Sequence, residues 1–376
     1  MWKREPSLVP SGIRTTFIPS GILDGPRDSQ IEVVGLQTVQ CDKNQDFIID
    51  PKENVEAFDG VHTFVLVRQV MTMYQRALWR IGKEKPLSWQ WGPGKAIQVY
   101  PRAGNNPYVY YSRQEQCLKF FYFKQNGKTI FTNRSYDVVA HEAGHAILDA
   151  LRPGYWASWQ PQTSALHESF GDITAILSLI SKMDQCEAII AHSKADLRDK
   201  SYFNAFAEET GVALGKGKRG LRSADNDMTL EDVSDDIHQL SQVFTSAFYD
   251  ILADIFSDMR NPEIKEDAET LYRVGDHMTN LLVEAVLRGP PQNATFKDIA
   301  DKLLSLEKDK KWKTFIKFHF ERRFVIGANR VKAPRDPVEV DWSGCGCCMS
   351  TREHLHAVDE GILRKQTCLP CRPTVY

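Results

Sequence analysis

Long hydrophobic runs are missing from this 376-residue chain. Nothing in it approaches the twenty or so consecutive apolar residues that a membrane-spanning helix needs. Net charge is nearly absent as well. Forty-seven Lys and Arg against 49 Asp and Glu leave a formal charge of −2, too little for a global field that would attract nucleic acid or an anionic membrane surface. From Met1 to Pro19 there is a Lys-Arg pair but no apolar stretch behind it, because Pro6, Pro10, Ser11 and Gly12 break every short run. No secretory signal is read there, and the cytoplasm is the expected compartment. Internal repeats and low-complexity segments are also lacking. Before Cys345 cysteine is sparse, with Cys41, Cys117 and Cys186 isolated in the sequence and read as buried thiols.

The composition present is that of an ordinary globular protein, 42% hydrophobic and 26% charged, and the length allows two domains. Ile31–Val39 and Phe47–Ile49 flank the polar cluster Asp42–Asp46 and read as a hairpin. Apolar residues at helical spacing predict a long helix from Asn54 to about Ile81. Trp89 to Phe131, rich in aromatic and β-branched residues and broken by Pro-Gly and Gly-Asn-Asn-Pro, reads as several short strands. After Ser135 the period is helical, in segments near 136–151, 164–183, 237–256, 266–288, 295–307 and 311–325. Thr295 to Asp298 resembles a capping box, and Gly289-Pro290-Pro291 ends the helix before it. Residues 212–234 read as a long surface loop. The chain is therefore expected to be α+β, with an α+β lobe over 1–134, a helical lobe over 135–330 and a cysteine-rich tail over 331–376.

The chemistry concentrates in His141-Glu142-Ala143-Gly144-His145. Histidines four apart on a helix project from one face and converge on one metal ion. Glu142, turned about 100° around the axis, lies beside the open coordination position, where it can take a proton from water. Zinc needs a third protein ligand, and Glu168, on a second predicted helix, is the first acid after Asp149. Asp172, one turn on, is placed to accept the outer N–H of a ligating histidine. The bland alternative is an exposed acidic face made by Glu168 and Asp172.

These segments, with Glu168-Ser-Phe-Gly-Asp172 as the second, resemble the thermolysin-like branch of the gluzincin metallopeptidases. The likeness runs over roughly residues 54 to 260 and is sharpest from Asp137 to Asp172. It implies a β-rich N-terminal lobe, a mostly helical C-terminal lobe, the active-site helix between them, one catalytic zinc and an extended peptide as substrate. It also implies a transition-state role for His238 in Asp236-Ile237-His238, a substrate-binding role for Arg222, and an edge strand at Asn105-Asn106 with Asn106 binding substrate. Tyr155 is the nearest counterpart of the family's active-site tyrosine, with a packed aromatic as the plain alternative.

The chain departs from the pattern in places. The interval from His145 to Glu168 is longer than usual, and His167 stands where the family commonly has asparagine. Ile173–Ile180, almost wholly apolar, lacks the acids of the family's calcium site. The expected activity is zinc-dependent endopeptidase. The rival readings are a catalytically silent protein that binds a peptide or partner, and a zinc hydrolase of a non-peptide amide or ester.

Two further metal motifs were weighed. Cys345, Cys348, Cys368 and Cys371 have the spacing of a four-cysteine structural zinc site, with disulfides or free thiols as alternatives, or a thiolate offered to the catalytic zinc as an inhibitor. Asp42, Asn44, Asp46, Asp50 and Glu53 fill the oxygen positions of an EF-hand loop. Phe47 replaces the glycine such a loop needs, so an acidic turn is expected rather than a calcium site. The oligomeric state is not legible.

Overall fold

Helix formation follows the 3.6-residue apolar period closely. A computed structural model describes residues 1, 13–18, 21–106, 108–125, 127–198, 203–206 and 222–327. It is mixed α and β, 51% helical and 11% strand. In chain order the elements are β1 (Ile31–Val33), α1 (Val55–Arg80), β2 (Ile97–Tyr100), β3 (Val109–Ser112), β4 (Cys117–Phe120), β5 (Tyr122–Gln125) and β6 (Lys128–Phe131). Helices α2 (Tyr136–Leu151), α3 (Pro153–Trp156), α4 (Pro161–Ile180) and α5 (Met183–Ser193) follow. After them come β7 (Ala205–Phe206), β8 (Arg222–Ser223), α6 (Ile237–Met259), α7 (Asp267–Arg288), α8 (Phe296–Leu306) and α9 (Lys310–Arg322). Among the described residues no helix is long and apolar enough to cross a membrane.

The main sheet runs β1-β2-β4-β3, with β1 and β4 parallel to β2 and β3 antiparallel to β4. This overturns the hairpin expected over 31–50. Ile31 pairs with Ile97 and Val33 with Val99, a long-range partnership that local alternation cannot reveal. Phe47–Ile49 forms no strand, and Ile48 is 87% exposed. Between them the polar cluster does turn: the backbone N–H groups of Asn44 and Asp46 donate to Asp42 Oδ1 at 2.8 and 2.9 Å. That local side-chain bonding substitutes for a ladder.

The helices pack around one continuous set of buried apolar residues that reaches from Met1 to Ile326. Helix α2 lies at its centre and is tied at both ends. Just before it, Arg134 grips the buried Asp59 of α1 at 2.9 Å, with Arg102 on the same carboxylate at 2.7 Å. Near its C-terminus the fully buried Asp149 accepts from Tyr111 Oη and Arg113 Nε, both at 2.7 Å. Arg152, preceding Pro153, ends the helix, as backbone clash before proline requires. The capping box is present at α8, where Thr295 and Asp298 satisfy each other's backbone N–H groups. A second ionic knot joins α6 to α9. Asp250 accepts from the fully buried Arg323 at 2.7 Å and pairs with Arg322, while His319 Nε2 meets Asp254 at 2.6 Å.

Candidate metal centre

His141, Glu142 and His145 are all buried on α2, and Glu168 and Asp172 are buried on α4. The two helices cross so tightly that only glycine fits at the contact. A Cβ on Gly171 would stand 2.7 Å from the His141 ring, and one on Gly144 would stand 2.8 Å from Thr174 Oγ1 and 3.1 Å from the Gly171 backbone. Any larger residue there forces the helices apart. The reason for both glycines lies in this crossing, a long-range contact that the linear motif does not encode. Thr174 is itself held by Tyr74 Oη of α1 at 2.7 Å, so the long first helix braces the crossing from behind.

The ligand atoms of His141, His145 and Glu168 all lie within 4.8 Å of one another. Glu168 Oε2 is 3.5 Å from His141 Nε2, and Oε1 is 3.6 Å from His145 Nε2. Those separations exceed ordinary hydrogen bonds. Donors about 2.0–2.1 Å from a tetrahedral centre stand about 3.3–3.4 Å apart, so the spacing suits a shared ion better than direct bonding. The group could hold a metal ion, as expected, although the kind of metal is not fixed by the residues alone.

Both histidines are aimed by their other ring nitrogen. His141 Nδ1 lies 2.9 Å from Asp172 Oδ1 and turns Nε2 toward Glu168. His145 Nδ1 lies 3.1 Å from His167 Nδ1, and the His167 ring rests edge-on against Trp156. His167 is buried at this contact, so it belongs to the support of the site rather than to the helix surface.

His238, at the start of α6, brings Nε2 to 3.7 Å from Glu168 Oε2 and is the most exposed of the group at 20%. It thus closes the side nearest solvent. Asp236 fixes that helix start by accepting the Gln239 N–H at 2.8 Å. Burial opposes ionisation of Glu168, but positive charge on His145, then His238 and His141, outweighs it and holds the carboxyl well below the usual range.

The remaining expected residues are distributed differently. Tyr155 is not brought to the cluster. It lines a small apolar cavity with Leu166, Phe170 and Phe244, on the face of α4 turned away from Glu168, and burial raises its hydroxyl to about 12. Its side chain packs there because Leu166, Phe170 and Ile173 form the opposite helical stripe. Asn106 N–H donates to Tyr122 O at 2.8 Å and Asn105 makes a single isolated parallel bridge to Tyr122, so this segment touches the start of β5 without forming a strand. Arg222 lies on β8, whose backbone pairs with Phe206. Cys345, Cys348, Cys368 and Cys371 fall outside the described residues, as does the first part, 212–221, of the 212–234 loop.

No family model matches the chain, and a search of curated proteins returns no match.

Proposed function

We propose that this chain is a zinc-dependent endopeptidase of two-lobed, thermolysin-like design. The observation that carries the reading is the convergence of His141 Nε2, His145 Nε2 and the Glu168 carboxylate, with Glu142 buried one residue along the same helix. A set of two imidazoles and one carboxylate suits zinc, which when bound supplies Lewis acidity and acidifies water. Asp172 and His167 keep the two imidazoles in the orientation that presents Nε2. Glu142 takes the proton of the attacking water and delivers it to the departing amine, the work of a general acid–base. His238, on the open side, donates to the oxyanion that develops on the peptide carbonyl. The segment at Asn105 and Asn106 binds extended substrate through its backbone, and Arg222 contributes to holding it.

Metal analysis combined with Glu142→Gln tests the reading. Wild type is expected to retain about one zinc per chain and to cleave a broad peptide library. Glu142→Gln should keep the zinc and lose at least about 10²-fold in turnover, the usual worth of a general base. A wild-type chain without zinc overturns the proposal, and zinc without hydrolysis favours a binding protein.

A further inference from the structure

A second pocket lies far along the first helix, between α1, α7 and the α4–α5 junction. One wall is the stripe Gln69, Met73, Arg76 and Arg80 of α1, spaced at turns of the helix, and the facing wall is the corresponding stripe of α7 through Asp276 and Asn280. Lys182 lies at the junction that floors it. The space inside is about 30 Å³, room for two or so water-sized groups, and it opens to solvent.

The charges in this pocket do not balance. Arg76, Arg80 and Lys182 face one carboxylate, Asp276, and Arg80 pairs with it. Arg76 and Lys182 have no carboxylate in ion-pairing reach among the described residues. Arg14, close by, is paired with Asp184 at 2.5 Å. Burial first, then repulsion from Arg14 and Arg76, brings the Lys182 ammonium down to about 8 against a smaller opposing pull from Asp184, as expected where cations outnumber carboxylates. Two amide oxygens add a directional element. Gln69 is buried, its Nε2 donates to Thr16 Oγ1 at 2.8 Å, and its Oε1 has no hydrogen-bond partner among the described residues; Asn280 is half-buried, but its Oδ1 is out of solvent and likewise unpartnered among them. A buried acceptor left unmade costs free energy that a ligand hydrogen would recover.

We propose that this pocket binds inorganic phosphate, as the hydrogen phosphate ion. Arg76 and Lys182 take its oxygens, and Gln69 Oε1 or Asn280 Oδ1 accepts the P–OH hydrogen. Few common anions offer both elements. Sulfate carries the same charge and shape but no hydrogen at neutral pH, so the acceptors predict that phosphate is preferred. Nothing in this inference depends on the metal centre.

Calorimetric titration of the full chain at constant ionic strength tests it, with inorganic phosphate, glycerol 3-phosphate and sulfate as probes. Phosphate is expected to bind at about one site per chain, with sulfate weaker. Arg76→Gln should weaken phosphate about tenfold or more, as loss of one charge-assisted hydrogen bond does. Arg76 is exposed, so this variant should keep the wild-type melting temperature, and it decides the matter even if Lys182→Gln does not fold. Glycerol 3-phosphate, which has lost most of its P–OH hydrogen at neutral pH, is expected to bind as weakly as sulfate, and binding as tight as that of inorganic phosphate overturns the proposal. No binding of inorganic phosphate, or phosphate binding unchanged in Arg76→Gln, overturns it as well.

Discussion

Two clusters of histidine and carboxylate are buried in this molecule, and they solve the same electrostatic problem in opposite ways. Around His319, arginines provide the positive charge. Arg323 and Arg322 hold Asp250, Arg198 holds Asp254 at 2.7 Å, and Arg322 Nε donates to His319 Nδ1 at 3.1 Å. Around Glu168, the ionic partners among the described residues are three histidines, each 3.5–3.7 Å away. Guanidinium groups fill the first cluster with directional hydrogen bonds and leave nothing for an ion to do. The second keeps its nitrogens at coordination spacing and lacks a permanent cation. The contrast shows that histidine and acid in proximity do not by themselves make a metal site. What sets the Glu168 group apart as a candidate is the absence of arginine among its described ionic partners, together with imidazoles aimed from behind.

The sharpest way to break that comparison is to exchange the consequences. Glu168→Gln should lower bound metal from about one ion per chain toward none after dialysis, because a tetrahedral site needs its third protein ligand. His319→Ala should leave metal content unchanged, and equal loss in both variants would erase the distinction. Next in size, Asp250→Ala should cost about 3–5 kcal/mol in denaturant unfolding, since it strands the fully buried Arg323 as an uncompensated charge. Metal content is the control here too, and it should hold. Asp172→Ala should weaken metal binding by about 10–100-fold in competition with a chelator, the usual effect of removing the group that orients a ligating histidine. An unchanged affinity would mean that the fold alone sets the His141 ring. The smallest effect expected is that of Gly171→Ala, about 1–3 kcal/mol of stability from overpacking. Because the new methyl meets the His141 ring rather than a flexible surface chain, the loss should be accompanied by weaker metal binding.

Much of the helical half was legible because its signals are local. The apolar period gave α2 its span of Tyr136–Leu151, and Thr295 with Asp298 gave the start of α8. Glu168 and Asp172 could be paired with His141 and His145 because each pair repeats at one helical turn, so only the meeting of two helices had to be supposed. What was hidden depends on contacts between distant segments. The partner of β1 lies more than sixty residues away at Ile97, and alternation in Ile31–Val39 carries no information about it. The short helices α3 and α5 left no periodic signature of useful length. The need for glycine at Gly144 and Gly171 appears only where the two helices cross. Tyr155, the nearest counterpart of the family's active-site tyrosine, lies on the four-residue helix α3 and lines the apolar cavity. His167, which stands where the family commonly has asparagine, is placed behind His145 by burial and by its 3.1 Å approach.

That approach has a spectroscopic consequence. Only one hydrogen can lie between two Nδ1 atoms. When His145 presents Nε2 to an ion, its own Nδ1 carries that hydrogen and the Nδ1 of His167 accepts it, which fixes the His167 hydrogen on Nε2. The tautomer of a residue that never touches the ion is thereby set by the residue that does. Nitrogen-15 shifts of the His167 ring would then report occupancy by a diamagnetic ion from outside the coordination sphere.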